Sequence, residues 1–379
     1  MKLYLNLFIA LLVFVSCDQP AGLQKYSIET LMSNNRSSGG YFSKDGSRLL
    51  YSSDKSGIFN VYEVNLKTEK EVQITSSTEE SFFARGYSPT TGEVIYSADK
   101  GGNENSHLYL IRDGESLDLT PGEKTKASLL GWTQNEKQMY FQSNSRDSRY
   151  FDLYKVNMET LETSMVYKND NAYTYNSISN NDKYLIFDQS IARGLDKMFI
   201  YNLKTKQQIE ISDQKANFWG QGFDKDDKNY YYTTNFDGEF HYLMSYNIKT
   251  KKRELVYKTD WDVVNSYLSK QDSYRIITVN DDAQNKIIIE NKKDGSELKF
   301  EGLDNMNINS VSFSDDETLV RINAASSNSP GDIYVYSLLT DRLKKITSNL
   351  NSKVNPSDLV GGEVIRYKSF DGLEVPAIL

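Results

Sequence analysis

A short turn motif recurs seven times along this chain at nearly constant spacing. Its anchors are Ser43 in FSKDG, Ser88 in YSPTTG, Thr133 in WTQNE, Ser179 in ISNND, Asp224 in FDKDD, Ser269 in LSKQD and Ser314 in FSDDE, at intervals of 45, 45, 46, 45, 45 and 45 residues. A constant period of this size, with several short strands in each unit, is the signature of a radial repeat in which each unit is one blade. The expected fold is therefore all-β: a seven-bladed β-propeller of four-stranded antiparallel blades. A chain of 379 residues would ordinarily suggest two domains, but seven units of about 45 fill a single closed body, placed at residues 37–350.

The first unit shows the plan. A strand carrying Tyr41 and Phe42 runs into the Lys44-Asp45-Gly46 turn, where glycine accepts a positive φ. RLLYS from Arg48 reads as a buried strand, FNVYEVNL from Phe59 alternates as a half-covered strand should, and KEVQIT from Lys70 is a polar outer strand. The order returns as VIYSAD, LYLI and SLDLT after Ser88, and as LVRINA, DIYVYSL and LKKIT after Ser314. The 27 Tyr and 17 Phe suit sheets packed face to face, and no long helical periodicity competes.

The two ends read differently. Lys2 followed by the apolar run Leu3 to Val15 is a targeting segment, and Cys17 directly after it looks like the acceptor of a bacterial lipoprotein signal, although Phe14 stands where that signal prefers Leu. Residues 1–17 are thus expected to be a signal peptide with Cys17 lipidated, and 18–36 a tether and lead-in. The mature chain is expected outside the cytoplasm, in the cell envelope, held to a membrane by its lipid. As the sole cysteine, Cys17 excludes an internal disulfide or a thiolate metal site. A net charge of −8 with no basic stripe speaks against nucleic acid as a partner. At the other end, EVIRYKSFDGLEVPAIL reads as two alternating strands about Phe370-Asp371-Gly372, too short for another blade.

SFDGLEVPAIL after seven propeller units resembles the opening of the α/β-hydrolase domain in the prolyl oligopeptidase family of serine peptidases. FSKDGSRLLYSSDKSGIFNVYEV and YSADKGGNENSHLYLI are similar to propellers of bacterial envelope members. The resemblance implies that residues 351–379 are a linker and the start of a hydrolase domain. It also implies a propeller that admits short peptides to a catalytic cleft and keeps folded proteins out. That family uses a Ser in a Gly-x-Ser-x-Gly elbow followed by Asp and His. No such elbow occurs here; Gly86-Tyr87-Ser88-Pro89-Thr90 and Gly114-Glu115-Ser116-Leu117-Asp118 are near misses in blade turns or outer strands. No catalytic residue is assigned, no metal or other cofactor is expected, and peptide substrate would be met through the missing hydrolase domain.

Several residues invite a functional reading and favour a plainer one. His107 and His241 head third strands, away from any Ser elbow. Glu79-Glu80 lies in a connection between blades, and Asp224, Asp226 and Asp227 lie in a turn that runs straight into a strand, unlike a calcium loop. Chain parity is more informative. In a four-stranded antiparallel blade the loop between strands two and three shares a face with the exit of strand four, so anything following blade seven begins over those loops. Gly101, Gly102, Asn103, Glu104 and Asn105 there, with Arg146, Arg149 and Arg193 on neighbouring loops, are the candidates for meeting substrate carboxylates or a docking domain. The competing expectation is a stand-alone envelope propeller, like that of the Tol system, recognising a protein or glycan by the same loops.

Overall fold

A computed structural model describes residues 25–379 apart from 213, 214, 283 and 305. The targeting segment, Cys17 and most of the tether lie outside the described residues. Seven sheets follow one another along the chain, each built from consecutive strands in the order of the sequence. In blade one these are Ser37–Phe42, Arg48–Ser53, Asn60–Asn65 and Glu71–Gln73, antiparallel throughout. The first strand of each blade lines the axis. The turns between strands one and two, which carry the repeated motif, lie on one face (the turn face), and the loops between strands two and three lie on the other (the loop face).

The core lies between the blades. The second strands are the most buried, with Leu49, Leu50, Ile95, Met139, Leu185, Ile276 and Val320 at 1 % exposure or less. Each blade's apolar side chains pack on those of the next, as where Ile186, Met198 and Ile200 of blade four meet Phe218, Tyr230 and Tyr232 of blade five. The motif's hydroxyl or carboxylate recurs because it holds the turn. Ser43 Oγ donates to Asp45 and accepts the amide of Arg48 at 3.0 Å, and Ser314 does the same with Asp316 and Leu319. A second recurring hydroxyl ends the fourth strand. Thr75, Thr120, Ser212 and Thr347 accept the third-strand amides of Val61, Leu108, Met198 and Ile333 at 2.8–2.9 Å.

Every first strand carries a β-bulge, at Gly40, Arg85, Leu130, Asn176, Gln221, Val264 and Asn309. In blades one to five it falls at the same height; in blades six and seven it lies two residues nearer the loop face. Opposite, the second strands place polar residues at Ser52, Ser97, Gln142, Asp188, Thr233, Thr278 and Asn323. The extra residue escapes the ladder and turns its side chain onto this belt: Arg85 donates to Ser97 at 2.9 Å, Asn176 to Asp188 at 3.0 Å and Gln221 to Thr233 at 3.3 Å.

Blade six departs from the four-stranded plan. Its sheet has three strands, Asp262–Leu268, Tyr274–Asp281 and Gln284–Asn291, and the outer strand is reduced to one bridge between Glu290 and Glu297. The reason is packing against the neighbouring blade: after Leu298 the chain turns inward so that Phe300 and Leu303 enter the core.

The ring closes without exchange of strands, since blades one and seven each complete their own sheet. Their seam is held by side chains. Leu49, Tyr51, Tyr62 and Val64 pack on Ile333 and Val335, Asn323 Nδ2 donates to Gly39 O at 3.2 Å, and Lys344 pairs with Glu69 at 3.0 Å. Arg321 Nε reaches Gly40 O at 3.2 Å; a β-carbon at residue 40 would stand 2.8 Å from Arg321 Cδ, so glycine is required there. The lead-in helix Ile28–Met32 and residues 349–358 cross outside this seam, where Tyr26 donates to Asp358 at 2.5 Å and Asn351 to Thr30 O at 2.9 Å. The chain then forms a hairpin of Val364–Lys368 and Glu374–Ile378.

Candidate functional site: the axial channel

The turn motifs of successive blades meet at the turn face and are chained by hydrogen bonds. In blades four, five and seven the fourth residue of the motif adopts a positive φ and its carboxylate accepts amides from the preceding blade's turn. Asp182 takes Gln134 N at 3.0 Å, Asp227 takes Asn180 N and Asn181 N at 2.8 Å each, and Glu317 takes Gln271 N at 2.5 Å. Blade two has Pro89 at the second position, with no N–H to give, and Asp272 of blade six turns to Lys292 of its own blade instead.

Glu136 of blade three does not take an amide of blade two's turn and reaches inward instead. Its carboxylate pairs with Lys44 of blade one and, at 3.3 Å, with Lys270 of blade six, whose ammonium is also 2.5 Å from Asp315 of blade seven. Blades three and six lie on opposite sides of the ring, so this network spans the axis and bars the turn-face mouth. The Lys44 hydrogen bond, outweighing partial burial, holds the Glu136 carboxyl below its ordinary range. Burial works against the charge on Lys270, but its bonds to Asp315 and Glu136 prevail and raise its pKa. Beside the bar lies a cavity of about 310 Å³ lined by Lys44, Arg85, Trp132, Lys270, Asp315 and Arg321. These bridging residues all stand inside the quoted motifs, at second and fourth positions. Sequence reading treated those positions as turn formers and missed that side chains of alternating sign converge there.

The loop face carries the residues singled out from the sequence, and the structure does not gather them into one site. Gly101 and Gly102 adopt positive φ, and the segment is pinned by Gly101 N to Glu80 at 2.7 Å, Glu104 N to Asp99 at 2.8 Å and Asn105 N to Asn103 at 2.9 Å. Glu80 thus anchors this loop. Arg146 is committed elsewhere: its guanidinium holds the fully buried Asp152 at 2.5 and 2.9 Å and Asn169 O at 3.1 Å, a structural clamp. Arg149 is exposed and folds back on Asp147 at 2.7 Å, whose carboxyl this pairing depresses. Arg193 is exposed and, among the described residues, makes no ion pair.

Both histidines are occupied structurally. His107 contacts Asp118 at 2.7 Å and Gly122 O at 2.9 Å; His241 contacts Asp262 and Asn217 at 3.0 Å each and stacks on the half-exposed Trp219 with ring centres 4.0 Å apart. Asp224 accepts the amides of Lys228 and Asn229 within its own turn. On the second strand of blade four Asp188 is half-buried, its Oδ1 shielded from solvent and without a hydrogen bond, and desolvation raises its pKa to about 7. Among the described residues no group of three or more His, Cys, Asp or Glu is placed to hold a metal, and no helix is long and apolar enough to cross a membrane. The C-terminal hairpin lies on the loop face, where Arg366 meets Asp282 of the blade-six loop at 2.6 Å, as parity requires.

A seven-bladed propeller of this kind is the fold of a known family. Residues 81–349 match the N-terminal β-propeller domain of prolyl oligopeptidase, and the chain belongs to that family. Dipeptidyl aminopeptidase BIII of Pseudoxanthomonas mexicana is 26 % identical over 159 residues, 41 % of this chain and 23 % of that protein. Prolyl oligopeptidase B from Galerina marginata superposes with a TM-score of 0.71 at 13 % identity, over 92 % of this chain and 56 % of its own. A puromycin-hydrolyzing peptidase of Mycobacterium tuberculosis gives 0.70 at 9 % identity, over 92 % and 59 %. At these identities the structural likeness is one of fold. The chain spans less than two thirds of the length of each relative.

Proposed function

We propose that this chain is the substrate-gating propeller of an exported serine peptidase resembling prolyl oligopeptidases, with Ser, Asp and His supplied by a hydrolase domain that begins within residues 351–379. The observation that carries the reading is the ion-pair bar of Lys44, Glu136, Lys270 and Asp315 across the turn face, opposite the face on which the C-terminal hairpin lies. A bore stopped at its far end and open towards the catalytic side excludes folded proteins by size. The propeller orders no reacting group; its contribution is steric. The hairpin leaves Phe370, Leu373 and Leu379 exposed, which suits a segment awaiting further packing better than the tail of a self-contained propeller. Lipidation at Cys17 would tether the peptidase in the envelope.

The test is a cleavage assay on the intact protein expressed from its natural gene, with unstructured peptides of increasing length and a folded protein. Short peptides should be cut, the folded protein spared, and a serine-directed phosphonate should abolish turnover. The double variant Lys44→Ala, Lys270→Ala should speed cleavage of long peptides and leave the shortest unchanged. Equal turnover of folded and unfolded substrates refutes gating, and no peptide turnover refutes the peptidase. Intact mass of the native protein should show a diacylglyceryl adduct on Cys17 as the new N-terminus; a retained Met1 would overturn export by this signal.

A further inference from the structure

The shortened outer strand of blade six leaves open, at Ile287, a backbone amide that every other blade covers. Asp281 and Gln284 pair across their hairpin, Leu298 N donates to Ile289 O at 2.8 Å, and alternation along the strand then directs the N–H and C=O of Asn285, Ile287 and Ile289 outward. Ile287 occupies the position held elsewhere by Val61, Leu108, Leu153, Met198, Leu243 and Ile333. Four of those amides are taken by Thr or Ser hydroxyls, and Leu153 and Leu243 pair with Tyr167 and Tyr257 of their own fourth strands. Among the described residues nothing bonds the amides of Asn285 and Ile287.

Beside this edge runs a groove of about 610 Å³, lined by the strand, by Met306 and Ile308, and by Asn328 of blade seven. Its charge is unbalanced. Glu297 and Asp304 line it and, among the described residues, form no ion pair, whereas its one cation, Lys286, is drawn onto Asp281 at 2.6 Å. We infer that the groove takes an extended peptide bearing basic side chains, which adds as the missing fourth strand: its backbone pairs with Asn285 and Ile287 and its cations meet Glu297 and Asp304. The edge supplies affinity without sequence selection, and the two carboxylates supply the preference for Lys or Arg.

The probe is a short, N-acetylated, C-amidated peptide alternating valine and lysine, with a valine–glutamate peptide as its counterpart. Added to the chain, the lysine peptide should slow hydrogen exchange at Asn285 and Ile287, and fluorescence anisotropy of its labelled form should saturate. Asn285→Pro removes an outward N–H without touching the inner ladder and should weaken binding about tenfold. The double variant Glu297→Lys, Asp304→Lys should reverse the preference towards the glutamate peptide, and it decides the matter should the proline variant melt early. Unchanged binding by a folded Asn285→Pro variant, or protection confined to other residues, overturns the inference. Protection of the same amides that grows with protein concentration and needs no peptide places a second copy there, and also overturns it.

Discussion

Thr347 offers a sharp test of what the recurring fourth-strand hydroxyl does. Its Oγ1 accepts the amide of Ile333 at 2.9 Å and donates to Asp332 at 2.8 Å, and all three residues are nearly fully buried beside the seam of the ring. Thr347→Val keeps the volume and removes both bonds. Leaving the Ile333 N–H buried and unpaired costs about 1–3 kcal/mol. Asp332 keeps Asn349 N at 2.9 Å and Lys345 at 2.8 Å, so the second loss is partial and adds about 1 kcal/mol. The added methyl returns about 0.8 kcal/mol of apolar burial, for a net loss of about 1–3 kcal/mol. Thr347→Ser keeps the hydroxyl, as Ser212 does naturally in blade four, and forfeits one methyl, about 1 kcal/mol. Urea unfolding followed by tryptophan fluorescence should therefore rank wild type above Ser above Val, with the slope unchanged. A valine variant as stable as the serine variant would refute the argument, because packing would then outweigh the hydroxyl.

Asp188→Asn should alter the pH dependence of stability. With its folded pKa raised to about 7, the native state binds the extra proton, so Asp188 costs stability progressively as pH rises from about 4 to about 7; thermal melts of the variant should lose that decline and exceed wild type at pH 8. Gly220→Ala should be severely destabilising, since the new β-carbon would lie 2.0 Å from Tyr230 Oη and 2.2 Å from Asn176; a melting temperature within a degree or so of wild type would contradict the packing described. Limited proteolysis of the isolated chain should cut first at 369–373, beside the exposed Phe370, and leave the blades intact; initial cleavage within a blade would show that the hairpin is better held than its exposure indicates.

The architecture was legible because its cause is periodic. One hydroxyl or carboxylate per turn, one glycine or acid at positive φ and one apolar second strand repeat in step, so seven imperfect copies reinforce one reading. Blade six resisted it because what shortens its outer strand is tertiary: Phe300 and Leu303 prefer the core, and nothing in SELKF distinguishes that choice from an outer strand. The parity argument placed the C-terminal hairpin over the right face, since alternation alone determines it. The bar across the axis was hidden because Lys44 and Glu136 are 92 residues apart and stand on blades that are not neighbours in the ring. Arg146 looked available for the opposite reason: its partner Asp152 follows so closely that the pair reads as scattered charge until burial shows it as a clamp.

The bulges have a consequence for how such a bore can change. Each sets one residue free of strand pairing, five of them at a common height, and those positions already hold glycine, arginine, leucine, asparagine and glutamine. Where the freed side chain ties only to its own blade, as Arg85 does to Ser97, the inner wall can be rewritten while the wedges behind it stay as they are; at Gly40, where Arg321 needs the room, at Asn176, which accepts Tyr230 Oη, and at Gln221, which accepts Ser266 N, the wall is bound to a neighbouring blade. Selectivity can then drift among descendants without renegotiating the scaffold.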